Sequence, residues 1–306
     1  MASPLLFEFE NAMNNKFDTP QLNNADVKTV EGFGDEWSRF DQTEMTDEDA
    51  QRIFQNYFSI FPWGDLPEGA VGFDLGCGSG RWAKFVAPRV SKLHCIDPSV
   101  AIEVARKNLR TLKNCVFHQA TVDHIPLPEK SMDFGYSLGV LHHIPDTRAG
   151  LAACVSKLKP GAPFLIYLYY AFDNRPFWFR IIWQMSDLVR KLVSRMPHSL
   201  RYFVSQAIAA LLYWPLARFA NWAENLGADV RNFPLASYRD CGFYVMRTDA
   251  LDRFGTRLER RFSQSQIMLM MEQAGLERIK FSEALPFWCA VGYRSSVFAL
   301  GDNVLT

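Results

Sequence analysis

Apolar positions along this chain fall into two alternating patterns. Compact apolar runs, AVGFDLG (70–76), KLHCID (92–97), CVFHQA (115–120), MDFGYSLG (132–139) and APFLIYLYY (162–170), read as buried strands. Between them, GRWAKFVAPRV, SVAIEVARKNLRTL and the stretch 151–158 carry apolar residues every third or fourth position and read as helices. Strands alternating with helices predict a parallel, doubly wound α/β sheet. Upstream, TDEDAQRIFQNYFSIF reads as a helix N-capped by Thr46, with acids in its first turn. Further upstream, Phe33, Trp37 and Phe40 are spaced to share one face of a short helix.

The alternation stops after the fifth strand. Two apolar-aromatic helices, at about 176–195 and 199–225, flank Met196-Pro197-His198, and a less regular stretch runs to Arg261. The pattern then resumes with SQSQIMLMMEQAGL, N-capped by Ser263, and with strands LERIKFSE (276–283) and FWCAVGYRS (287–295). The organisation expected is therefore a lid segment at 1–45 and an α/β core at 46–170. A helical cap inserted at 171–262 forms the acceptor pocket, and 263–306 completes a mostly parallel, seven-stranded sheet.

Composition narrows the function classes. Lys plus Arg and Asp plus Glu both count 33, so no global basic field exists to hold nucleic acid, and no nucleic-acid partner is expected. Six scattered cysteines without a C-x-x-C pair point to free thiols in a reducing, cytoplasmic setting, with neither a disulfide framework nor a metal. MASPLLFEFENAMNN has no basic n-region and does not read as a signal peptide. The most apolar window, 203–223, is interrupted by Gln206, Pro215, Arg218 and Asn221, which argues against an integral span; peripheral membrane contact stays open.

The candidate chemistry lies at Asp74-Leu75-Gly76-Cys77-Gly78-Ser79-Gly80, between the first strand and its helix, at the carboxyl edge where open α/β sheets bind ligands. Arg81 stands where a dinucleotide fingerprint would place its last glycine, and no phosphate-loop motif is present. An acid before the loop would repel a pyrophosphate and attract a cationic ligand. Asp97 ends the second strand, close to the ~20-residue spacing at which such folds place the acid that takes ribose hydroxyls.

With VGFDLGCGSG (71–80), HCIDPS (94–99), IPLPEKSMDFGYSLGVLHHIPD (125–146) and LKPGAPFLI (158–166), the chain resembles the class I methyltransferases that use S-adenosylmethionine (SAM). The resemblance implies a Rossmann-like methyltransferase fold with SAM as cofactor. The methionine part would be held by Asp74, Gly76, Cys77, Gly78 and Gly80, the ribose by Asp97 with Pro98, and the adenine by Thr121 and Val122. Thr121 stands where many relatives carry Asp. Ser137 and Leu138 would flank the methionine chain, and Trp37 would close over the cofactor. YYAFDNRPFW, TRLERRFSQSQI and FSEALPFWCAVGYR also resemble a bacterial methyltransferase subgroup associated with polysaccharide and cell-surface biosynthesis.

The expected reaction is methyl transfer to an oxygen, a hydroxyl of a sugar, another small molecule or a glycoconjugate. His142 and His143 are first candidates for the base, since imidazole titrates near neutrality, and Glu283 is the second. Adjacent residues point different ways, so at most one of the two histidines faces the acceptor. Tyr170, Arg175, Arg239, Arg261 and Trp288 are candidate acceptor contacts. Two rivals remain: a lipid- or quinone-directed methyltransferase at a membrane surface, and a SAM-binding protein without catalysis. Oligomeric state is not legible.

Overall fold

A computed structural model describes residues 24–296; residues 1–23 of the lid segment, MASPLLFEFENAMNN included, and 297–306 of the last segment lie outside the described residues. In chain order the core elements are α1 (Val27–Arg39), α2 (Asp47–Tyr57), β1 (Val71–Leu75), α3 (Ala83–Val86), β2 (Lys92–Asp97), α4 (Ala101–Asn108), β3 (Cys115–Gln119), β4 (Phe134–Leu138), α5 (Thr147–Lys157) and β5 (Pro163–Tyr167). The cap follows with α6 (Phe177–Val193), α7 (His198–Ile208), α8 (Trp214–Asn225) and α9 (Phe243–Gly255); α10 (Gln264–Gln273), β6 (Leu276–Phe281) and β7 (Cys289–Arg294) close the chain.

The seven strands form one sheet in the order β3-β2-β1-β4-β5-β7-β6. Strands β1 to β5 pair in parallel and β7 runs antiparallel to both neighbours, which is the Rossmann-like methyltransferase fold the sequence leads one to expect. At the centre, β1 and β4 interlock. Gly72 pairs with Phe134 and Phe73 with Gly135, and each phenylalanine lies over the opposite glycine. A Cβ on Gly72 would come within 2.3 Å of the Phe134 ring, and one on Gly135 within 2.4 Å of the Phe73 ring. The absent side chains are what allow two strands to pack two large rings at full density.

Local chemistry sets the helix starts. Thr46 accepts from Asp49 N with Asp47, Glu48 and Asp49 in the first turn of α2, and Ser263 makes a reciprocal capping box with Gln266 on α10. The helix after the glycine loop is shorter than its periodicity suggests, because Pro88 turns its end into a 3₁₀ turn. Helix α1 lies against α4 and the cap helix α9. Its aromatic face does not close on itself. Phe40 is buried against Tyr202 and Tyr244 of the cap, with ring centroids 6.2 and 5.6 Å away.

The cap holds a helix the sequence pattern does not disclose. In the stretch read as irregular, α9 buries Val245, Met246, Thr248, Ala250, Leu251, Phe254 and Gly255. A helix enclosed on several sides loses the single apolar stripe that betrays an amphipathic one. Helices α7 and α8 are joined by a π turn, Ala209–Tyr213, into one rod, His198–Asn225. No clear membrane span is present among the described residues: by length and composition alone this rod could cross a membrane, but a core helix passes the same test. One face of it is nevertheless buried through Arg201, Ser205, Ala209, Tyr213, Ala217 and Ala220. Arg201 Nη1 donates to Gly255 O at 3.0 Å, so that face is committed to the protein.

Candidate active site

One cavity of about 1140 Å³ runs from the glycine loop to the cap. At its base the loop folds over the end of β2: Gly76 N and Cys77 N both donate to Ile96 O, at 2.7 and 3.1 Å. Gly76, Gly78 and Gly80 have φ of +76°, +52° and +79°, a conformation that excludes most side chains. Asp97 Oδ2 accepts from Gly78 N at 2.9 Å, while its Oδ1 accepts from Ser99 N and Oγ at 2.9 and 2.6 Å. Burial raises the Asp97 pKa, and these hydrogen bonds pull it back. Gly76, Cys77, Gly78, Asp97, Pro98 and Leu138 line the cavity, and Trp37 of α1 covers Gly78 so closely that a Cβ there would lie 3.0 Å from Trp37 Nε1.

Several expected cofactor contacts are not on this wall. In β1, Phe73 and Leu75 face one layer of the core, and Asp74 faces the other beside Tyr136 and Cys95. Its carboxyl is 1% exposed, Oδ2 has no partner, and burial raises its pKa to about 8. Burial thus favours its neutral form in the unliganded fold, and Asp74 does not line the cavity toward which the sequence reading directs a carboxylate. Ser137 is likewise buried, its Oγ donating to Leu75 O at 3.0 Å. Val122 packs in the core, Thr121 precedes the 3₁₀ turn after β3 without a side-chain cap, and Gly80 tucks under Leu109; none of the three lines the cavity.

The two histidines separate as their adjacency requires. His143 lines the cavity, between Phe33 (4.9 Å) and Tyr169 (5.4 Å). Its Nδ1 lies 2.7 Å from Leu258 O, and because a carbonyl only accepts, that nitrogen carries the proton. Nε2 has no partner. Burial lowers the His143 pKa, while Asp252, the Leu258 carbonyl and Glu259 offset part of that effect. His142 is fully buried between His143 and Tyr169, both 3.9 Å away, and off the cavity wall; burial holds it well below the usual imidazole range. It cannot reach an acceptor, so it is removed from the candidate bases. Glu283 is exposed and off the wall, because the β6–β7 turn presents Leu285, Pro286 and Phe287 there instead. The same turn leaves Trp288 outside, its Nε1 donating to Asp173 Oδ1 at 3.0 Å.

Tyr170, Arg175, Arg239 and Arg261 do line the cavity, but two of these arginines are already paired. Arg239 meets Glu224, and Arg261 shares the buried Glu259 with Arg253 at 2.8 and 2.6 Å. Arg175 has no carboxylate partner among the described residues; it contacts Tyr170 Oη at 3.3 Å and Asn232 Oδ1 at 3.2 Å. The sequence reading missed the acids of α9. Asp252 accepts from Tyr169 Oη, and Asp249, pushed up to about 6 mainly by burial, lines the same space. Their spacing of one helical turn was the available signal, hidden because the helix itself went unread. All six cysteines are free, and no His, Cys, Asp and Glu cluster among the described residues suits a metal.

The residues at the lower half of this cavity suit SAM. A left-handed glycine turn leaves room for a ligand at the sheet edge, Asp97 faces it, and Trp37 roofs it. Residues 73–166 match the family described as Methyltransferase domain. Sheet order, loop and match agree across the α/β core, which is similar to class I SAM-dependent methyltransferase domains.

Among curated relatives, the chain is 34% identical to the tRNA (carboxymethyluridine(34)-5-O)-methyltransferase of Schizosaccharomyces pombe over 31% of this chain and 39% of that one. It is 29% identical to the ubiquinone biosynthesis O-methyltransferase of Hahella chejuensis over 43% and 55%, respectively, and 25% identical to that of Pectobacterium carotovorum subsp. carotovorum over 66% and 83%. The chain thus spans about two fifths to just over half of the length of the first two of these relatives. A SAM-dependent methyltransferase from Aquifex aeolicus superposes with a TM-score of 0.45 at 15% identity, covering 85% of this chain and 96% of that one.

Proposed function

We propose that this protein transfers a methyl group from SAM to a hydroxyl oxygen of an acceptor held under the helical cap, with His143 as the base. The observation that carries the reading is the state of His143. Leu258 O holds its proton on Nδ1, its buried Nε2 has no hydrogen-bond partner, and His143 lines the cavity that also contains the glycine loop. Bound SAM would supply an electrophilic methyl on a sulfonium.

Gly76 to Gly78 and Asp97 orient that group at the sheet edge, and Trp37 and the cap exclude water from it. An acceptor hydroxyl held beside His143 would pass its proton to Nε2 as its oxygen takes up the methyl group. The resulting imidazolium is stabilised by the nearby Asp252 and Glu259. The O-methyltransferases among the relatives support oxygen as the atom methylated.

The upper cavity is walled by Phe179, Trp183, Tyr213, Phe254 and Phe287, which supports an aromatic or lipid-linked acceptor such as a quinol. Arg175, without a carboxylate of its own, favours a second reading in which the acceptor is a glycoconjugate with an anionic part, as the cell-surface subgroup would imply. Free cysteines support a reducing, cytoplasmic setting. The test is release of demethylated cofactor in the presence of prenylated catechols and quinols, sugars and sugar phosphates. Turnover with a hydroxyl acceptor, reduced about 10²- to 10⁴-fold by His143→Gln while SAM affinity is kept, is the expected result. Full activity in that variant removes the base from the reading.

A further inference from the structure

The cap carries an apolar surface that the reaction does not require. On α6, Phe177, Ile181, Met185, Leu188 and Leu192 recur at helical spacing and are 40–70% exposed. Along the rod His198–Asn225, Leu200, Phe203, Leu211, Trp214 and Trp222 form a second stripe, opposite the face buried in the protein. Leu211 at 73% and Phe203 at 70% are among the most exposed side chains of their kind. Soluble monomers rarely expose contiguous apolar patches beyond a few hundred Å², and such patches mark interaction sites.

Charge identifies the partner. The whole chain is electrically neutral, with 33 basic and 33 acidic residues. Over the two helices, 177–225, however, six Arg and Lys stand against two acids, Asp187 and Glu224, and the latter is already paired with Arg239. Arg180 and Arg195 are exposed, and neither has a carboxylate partner among the described residues; Lys191 is exposed and shares Asp187 with Arg190. An apolar stripe edged by uncompensated cations complements a bilayer bearing anionic headgroups, where the apolar side chains enter the acyl boundary and the cations meet the phosphates.

The surface is also joined to the cavity. Ile182 on α6 and Leu212 on the π turn are both about half exposed and both line it, so the cavity reaches both stripes. We propose that this face of the cap lies flat on an anionic lipid surface, and that the acceptor enters the cavity from the bilayer between Ile182 and Leu212. The rod lies in the interface without crossing, because its opposite face is held by Arg201 and by small residues packed in the cap.

The entry route rests on the proposed function; the docking does not, and is measured without turnover. Purified protein is sedimented with vesicles of phosphatidylcholine alone and with vesicles containing phosphatidylglycerol. Expected is binding that strengthens with the anionic fraction and weakens with salt. Leu188→Glu with Phe203→Glu should abolish it, and Arg180→Ser with Arg195→Ser should weaken it roughly 30-fold, about fivefold per charge. None of these four residues lines the cavity, so SAM affinity and melting temperature should be unchanged and will show that the variants are folded. Absence of vesicle binding overturns the docking, as does binding indifferent to both variants. A dimer in solution that the Leu188→Glu, Phe203→Glu variant dissociates also overturns it, by assigning the face to a second copy. If the docking holds but activity never responds to vesicles, the entry route falls while the docking stands.

Discussion

Replacing Asp74 by Asn isolates one buried group. The carboxyl titrates near 8 in the fold against an ordinary value of 3.8, because burial opposes its charge. An acid raised in this way binds its proton more tightly folded than unfolded. Its contribution is therefore neutral below pH 3.8, turns unfavourable as pH rises through the interval, and levels off above 8. At pH 7 the span from the unfolded value is just over three units, about 4 kcal/mol at 1.36 kcal/mol per unit. Asn has the same shape and no charge to suppress. Asp74→Asn should then stabilise the apo protein by up to about 4 kcal/mol at pH 7, some 8 °C at roughly 2 °C per kcal/mol, and by nothing near pH 4.

The assay is urea or thermal unfolding of both proteins from pH 4 to 8, taking the difference at each pH. Subtraction removes the contributions of Glu36, His142 and His143, which are present in both. A difference that stays flat across pH 4–8 would refute the assignment of a suppressed charge to Asp74.

Further outcomes follow from the same geometry. Asp97→Ala should remove calorimetric binding of SAM and its demethylated product, whereas Thr121→Ala should change it little, since only the first residue lines the cavity. Because burial lowers the His143 pKa, turnover should rise with pH through a midpoint below the ordinary 6.5 and be level at neutrality; a midpoint above 7 contradicts that environment. Gly135→Ala should cost about 1–3 kcal/mol by driving a methyl into the Phe73 ring, and the cost should shrink when Phe73 is made Leu in the same chain, a coupling measured by a double-mutant unfolding cycle.

What could be read in advance, and what could not, divides along sequence distance. The glycine turn and the seven strands are local signals, and α2 and α10 announce their own caps at Thr46 and Ser263. For Asp74, strand parity, one residue either way, decides between cavity and core, and the fold turns it to the core. His142 and His143 were separable in principle by the same parity, but which one faced the cavity depended on Leu258, far along the chain. Asp249 and Asp252 lay in a helix buried on several sides, where the pattern that reveals helices is erased. Glu283 and Trp288 depended on the path of a turn, which strand spacing leaves undetermined.

The interlock of Gly72 with Phe134 and of Phe73 with Gly135 has a meaning for descent as well as for packing. A larger residue at either glycine meets a ring with nowhere to go, and a smaller residue at either phenylalanine opens a hole over a glycine that cannot fill it. Single steps from this arrangement all lead downhill, so a lineage leaves it only by compensated pairs of changes. Related sequences should accordingly keep small opposite large at these four sites, or exchange the two together, and libraries that randomise one position at a time will find almost nothing there.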